Sequence, residues 1–148
     1  MCEILAPAGD KNSALAAINS GADAIYLGLK QFSARSSAEN FDEEQLREII
    51  NYAALFGVKV HVAMNTLVKQ SEAESFIPAV KRAWELGADA IIMQDIFIGR
   101  AIHEIYPEIV LHLSTQAGVC NIYGAKLAKK FGFSRVILAR ETAFEDIR

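Results

Sequence analysis

The sequence predicts an α/β fold of the parallel (β/α)8 TIM-barrel type, truncated after about six strands. Three observations carry that expectation. A unit recurs four times along the 148 residues: a helical stretch, a glycine, a short apolar run and a polar tip. It reads Gly21-Ala-Asp-Ala-Ile-Tyr-Leu-Gly28, Gly57-Val-Lys-Val-His-Val-Ala-Met-Asn65, Gly87-Ala-Asp-Ala-Ile-Ile-Met-Gln-Asp95 and Gly132-Phe-Ser-Arg-Val-Ile-Leu-Ala-Arg140. The apolar runs are nearly continuous, as strands covered on both faces of a parallel sheet must be. The glycines suit the left-handed position that ends a helix, where a side chain is strained.

Strands are predicted near 3–6, 24–28, 59–64, 90–94, 110–115 and 136–140. The first helix, near 11–20, is short and rich in alanine. Asp42 with Gln45 reads as a capping box, and Leu46, Ile49, Ile50 and Ala53 follow on one apolar face. Ser71 with Glu74 reads as a second box before Phe76, Ile77, Val80, Ala83 and Trp84. Pro78 inside that stretch predicts a kink or a restart. Asp95 and Asn121 are the expected N-caps of the next two helices. Thr142 to Arg148 has the look of a sixth helix's opening turn.

Strand alternating with helix implies right-handed crossovers, which an open doubly wound sheet and a barrel both satisfy. The dinucleotide version of the open sheet wants Gly-x-Gly-x-x-Gly after its first strand. Here that strand ends Ala6-Pro-Ala-Gly-Asp10. A barrel needs eight strands and ~250 residues. The expectation is therefore that 1–148 is the N-terminal portion of one barrel domain in a longer protein.

Composition narrows the function classes. The chain is 52% hydrophobic and 22% charged, which excludes intrinsic disorder. A net charge of −3 argues against gripping nucleic acid by overall electrostatics. No apolar run approaches the ~20 residues of a membrane helix, and no signal peptide opens the chain, so a cytoplasmic protein is expected. Cys2 and Cys120 lack the spacing of a disulfide framework or metal site and read as free thiols. There is no zinc spacing, P-loop or Gly-x-Ser-x-Gly elbow, so no metal is assigned.

In a parallel α/β domain ligands gather at the carboxyl ends of strands. Those tips carry Asp10, then the loop 29–41 with Arg35 and Asn40, then Asn65 and Thr66. Gln94 and Asp95, Ser114 to Gln116, and Arg140 with Glu141 complete the set. Caps alone explain Asp95 and Thr66. Period two places His112, Ser114 and Gln116 on one face of the fifth strand, and His61 on the face of Asn65. Either histidine is a hydrogen-bonded core imidazole or a group for acid–base work. Arg35 and Arg140 are candidate anion contacts; a solvated loop and an ion pair with Glu141 are their ordinary alternatives. Lys126, Lys129, Lys130 and Arg135 form a basic cluster around the fifth helix, either a solvated face or an RNA contact.

Taken in order, these stretches resemble the amino-terminal part of the peptidase U32 family, the collagenase-like proteins. The matching pieces are Leu5-Ala-Pro-Ala-Gly9, Gly21 to Gly28, Phe32-Ser33 with Arg35, and Asn40-Phe41. Asn65-Thr66, Gly87 to Ala90 with Asp95, His112 to Gln116 and Val136 to Glu141 follow. The resemblance implies remaining strands beyond Arg148. It also implies either a peptidase or an RNA- or quinone-modifying hydroxylase that works without molecular oxygen. Some relatives use prephenate and carry an iron–sulfur cluster on cysteines downstream of this region, so Cys2 and Cys120 are not its ligands and the 148 residues alone should be inactive.

Proteolysis needs a nucleophile with a base; Ser114 near His112, with Glu141, is the least unsuitable set. Holding a small dicarboxylate needs arginine, amide and hydroxyl donors, and Arg35, Asn65, Gln116 and Arg140 are suitable; Gln94 and Asp95 complete the candidate substrate-binding set. A hydroxylase is favoured, with a collagenase-like peptidase and a non-catalytic binding module as alternatives. An incomplete barrel should also self-associate through its exposed strand edges.

Overall fold

The computed structural model describes residues 2–34 and 39–147. Arg35 lies outside the described residues. Six strands form one sheet: β1 Leu5–Ala8, β2 Ala24–Gly28, β3 Lys59–Met64, β4 Ala90–Met93, β5 Leu111–Leu113 and β6 Phe133–Val136. Between them run α1 Lys11–Asn19, α2 Glu43–Leu55, α3 Gln70–Glu85, α4 Ile96–Ile105 and α5 Ile122–Lys130, with short 3-10 turns at Thr115–Ala117 and Phe144–Ile147. Every neighbouring pair is parallel, and the order across the sheet is β1-β2-β3-β4-β5-β6.

That order decides between the two architectures. A doubly wound sheet reverses direction at a switch point, which puts helices on both faces. A monotonic order with right-handed crossovers puts every helix on one face, and the sheet curls around the other as a barrel wall. The side chains agree. Ile25, Leu27, Val60, Val62, Met64, Ile91, Met93, Leu111 and Leu113 share a core with Leu46, Ile49, Phe76, Val80 and Ile102 of the helices. The alternate residues, in register as Tyr26–His61–Ala90 and Ala63–Ile92–His112, point to the concave side.

The repeated Gly-Ala-Asp acquires a physical role here. Asp23 accepts the Ile4 N–H at 2.7 Å and Asp89 accepts the Val60 N–H at 2.8 Å. Each carboxylate thus ties the start of its strand to the preceding strand. The helix-ending glycines Gly21, Gly57, Gly87 and Gly132 all have φ between 68° and 105°. Asp42 and Gln45 form the expected capping box, and Asp95 and Asn121 cap α4 and α5.

Several expectations are corrected. The start of α3 uses Lys69 and Glu72, not Ser71 and Glu74: the Glu72 carboxylate accepts the Lys69 N–H at 2.9 Å. The helix runs unbroken through Pro78, because Pro78 and the Glu74 carbonyl it leaves unpaired are on the exposed side. β1 sits two residues later than expected; as an edge strand it tolerates Pro7. β5 stops at Leu113 because Ser114 turns the chain by accepting the Gln116 N–H at 3.3 Å. β6 is consequently Phe133–Val136 rather than 136–140: the last bond to β5 runs from the Ile137 N–H to the Leu113 carbonyl at 2.8 Å. Arg135 leaves the basic cluster of the fifth helix and binds the Glu3 carboxylate, which Lys59 also approaches at 3.4 Å. No described helix is long and apolar enough to cross a membrane.

Candidate functional site

The site begins at the polar tips of β3 and β5, two strands separated by β4. Asn65, just past β3, is half-buried and uses both ends of its amide. Its Oδ1 accepts the Ala34 N–H at 3.2 Å, and its Nδ2 donates to Gln116 Oε1 at 2.7 Å. Gln94 Nε2, from the tip of β4, donates to the Gln116 carbonyl at 3.3 Å. The amides therefore form a directed chain from the β2–α2 loop to Gln116, whose own Nε2 is the donor at its end. Gln116 arrives by the 3-10 turn, not by strand parity with His112 and Ser114 as expected.

Close approach by the loop requires glycine at the tip of β2. A Cβ on Gly28 would lie 2.2 Å from Ser33 Oγ and 2.8 Å from Asn40 Oδ1. The loop's base is zipped by Phe41 N–H to the Gly28 carbonyl at 2.9 Å and Lys30 N–H to the Phe41 carbonyl at 3.1 Å.

These groups border a cavity of about 350 Å³ on the concave side, in the size range of small-molecule sites. Asn65, Ser114, Gln116 and Arg140 give it a polar side; Leu5, Tyr26, Ala63, Ile92 and Ile137 give it an apolar one. Sequence reasoning missed that apolar wall, although Tyr26 and Ile92 lie on the same parity as His61 and His112. Arg140 is exposed, and among the described residues its guanidinium has no ion pair with Glu141 or any other carboxylate. The ion-pair alternative for Arg140 is thereby overturned. Glu141 is exposed and does not line the cavity. Asp95 is spent on α4, its Oδ1 accepting the Phe97 and Ile98 N–H groups at 3.1 and 3.0 Å.

One layer beneath lie His61 and His112, 2% and 5% exposed, with rings edge-to-face at 4.8 Å between centroids. Among the described residues, neither Nδ1 has a hydrogen-bond partner. Burial pushes both imidazoles below their ordinary pKa, His112 to about 4, with His61 and the Arg135 guanidinium adding to it. Such an imidazole is a weak base at neutral pH. Ser114 Oγ accepts the Gln116 N–H, and no hydrogen bond among the described residues joins it to His112.

The iron–sulfur cluster implied by the family resemblance finds no fit among the described residues. No three His, Cys, Asp or Glu side chains gather to hold a metal ion. Cys2 precedes β1 and Cys120 follows β5, so the two exposed thiols stand at opposite ends of the sheet.

Comparison with known proteins identifies the scaffold. The chain is 37% identical over 145 residues to tRNA hydroxylation protein P of Escherichia coli K12, spanning 98% of this chain and 32% of that protein. It is 36% identical over 146 residues to the 23S rRNA 5-hydroxycytidine C2501 synthase of the same strain, spanning 99% of this chain and 22% of that one. The chain therefore spans a third or less of these curated relatives. The structure of the U32 peptidase Mk0906 superposes with a TM-score of 0.72 at 13% identity, over 93% of this chain and 58% of that one, which supports the fold alone. The Peptidase family U32 profile matches residues 9–148, spanning the β2–α2 loop, the amide chain and Arg140 alike, and the chain belongs to that family.

Proposed function

We propose that this chain is the ligand-binding part of an RNA-modifying hydroxylase that works without molecular oxygen, acting in the cytoplasm. Its mouth cavity would hold a small carboxylate such as prephenate. The observation that carries the reading is the Arg140 guanidinium, without a carboxylate partner among the described residues, lining the same cavity as the Asn65–Gln116 amide chain. A carboxylate takes paired donors from arginine, and the fixed amides add orientation. The apolar wall of Tyr26, Ile92 and Ile137 suits a carbon skeleton attached to that carboxylate. The names of the RNA-hydroxylating relatives support the same reaction class. An iron–sulfur cluster, if the enzyme uses one, would take its cysteines from outside these residues. The chain's own contribution is then to bind and orient.

The test is oxygen transfer. Full-length protein incubated with unmodified tRNA and prephenate, the donor of the oxygen in this reading, is expected to add the mass of one oxygen atom to the RNA; no gain on tRNA or rRNA would sink the reading. Arg140→Ala is expected to weaken prephenate binding about tenfold or more by calorimetry, as loss of a charge-assisted hydrogen bond does. Metal-independent gelatin cleavage abolished by Ser114→Ala would instead favour the peptidase. The isolated 148 residues, with β1 and β6 as sheet edges, are expected to self-associate. A concentration-independent monomer in sedimentation would contradict that.

A further inference from the structure

The mouth cavity and the core leave one helix face unexplained. Along α5, Tyr123 and Leu127 stand one turn apart, and Phe131 follows at the same spacing just beyond the helix end. Tyr123 is 80% exposed and Leu127 43%. Lys126, Lys129 and Lys130 flank this stripe, all exposed, and α5 contains no acidic residue. Ion pairs form elsewhere on the surface, yet among the described residues none of these three ammonium groups meets a carboxylate.

The stripe is joined to the mouth. Phe131 contacts Phe97 at 6.1 Å between ring centroids, and Arg100 lies over its ring at 5.2 Å. Phe97, 72% exposed, lines a groove of about 310 Å³ together with Gln116. Gln116 also lines the mouth cavity. A path of side chains thus leads from the cavity over Phe97 and Phe131 along α5 to Tyr123.

We propose that this path docks a single-stranded segment of the RNA beside the nucleotide being modified. It rests on the RNA reading above. Unpaired ammonium groups meet phosphates, and exposed aromatic faces accept stacked bases; the two together are the chemistry of single-strand binding. A protein partner fits less well, because protein interfaces are depleted in lysine. The chain's overall negative charge makes a local, one-face contact the way it can hold a polyanion.

The experiment measures binding of unmodified tRNA to the full-length protein across a salt series. Replacing Lys126, Lys129 and Lys130 together by Glu should weaken binding at least tenfold and lower the slope of log affinity against log salt by about 2. Tyr123→Ala should weaken binding about tenfold with the slope unchanged, because stacking releases no counterions. Lys126→Glu alone, set against Lys81→Glu on α3, supplies the charge-matched control. If the Glu triple variant does not fold, the Gln triple variant replaces it, with the same direction expected. Unchanged affinity and slope in the α5 variants, or equal loss in the control, would overturn the proposal. So would wild-type protein that binds no RNA. Strip-dependent RNA binding without oxygen transfer would overturn the reaction and leave the strip standing.

Discussion

His61 and His112 meet above a small residue: the β4 position in register with His61 is Ala90, which leaves room for two rings on the concave side. Because burial holds both imidazoles neutral, the unfolded chain binds more protons than the folded one as pH falls below 6.5. Stability therefore decreases from pH 6.5 down to about 4, with His112 contributing a loss of about 3 kcal/mol once fully protonated. Urea unfolding at pH 7 and pH 4.5 should show this fall, and His112→Phe, which keeps a ring but cannot titrate, should reduce it. An unchanged pH slope in that variant would contradict the account. Parity along the strand was enough to put His112 on the concave face. It could not show that a second ring from β3 packs against it, since that contact spans 51 residues of sequence. A second residue-scale expectation concerns Gly28. Gly28→Ala should push the 29–41 loop off Asn65 and weaken prephenate binding in calorimetry, with the Ala34 N–H withdrawn from the amide chain.

At the scale of elements, the helix starts differ in how far sequence exposes them. α2, α4 and α5 begin with Asp or Asn side chains that bond their own helix's N–H groups, a chemistry readable from three or four adjacent residues. Asp95→Ala should cost about 1 kcal/mol by thermal or chemical unfolding, whereas Asp95→Asn should cost much less. The start of α3 was not readable this way. Lys69 offers only its backbone N–H, so Ser71 and Glu74 imitate a box two residues further along the chain. β6 was misplaced for a different reason. The run Val136-Ile-Leu-Ala is locally an excellent strand, but pairing is set by where β5 ends, and Ser114 ends it early. The amide chain was legible as a set of polar tips. Its order was not, because the bonds cross from the β2–α2 loop to β5 over residues that are distant in sequence.

At the scale of the whole molecule, the strand order and the Glu3–Arg135 pair belong together. β1 and β6 are the two edges of the sheet, yet Glu3 before β1 reaches Arg135 on β6. The Arg135 guanidinium holds the Glu3 carboxyl below its ordinary pKa, with Lys59 assisting. Both side chains are partly exposed, at 25% and 40%, so solvent limits the gain. Glu3→Gln should lower Tm by about 2–4 °C at low salt, and less in 1 M salt; equal shifts in both would contradict an electrostatic origin. The strand order has a kinetic consequence as well. Each strand pairs with the one just before it, so pairing needs only the closure of one crossover at a time. A chain emerging from the ribosome can add each βα unit to an edge already formed, so no strand pairing waits for a later strand than its own. The Glu3–Arg135 bond, spanning 132 residues, can close only after the sixth strand has arrived.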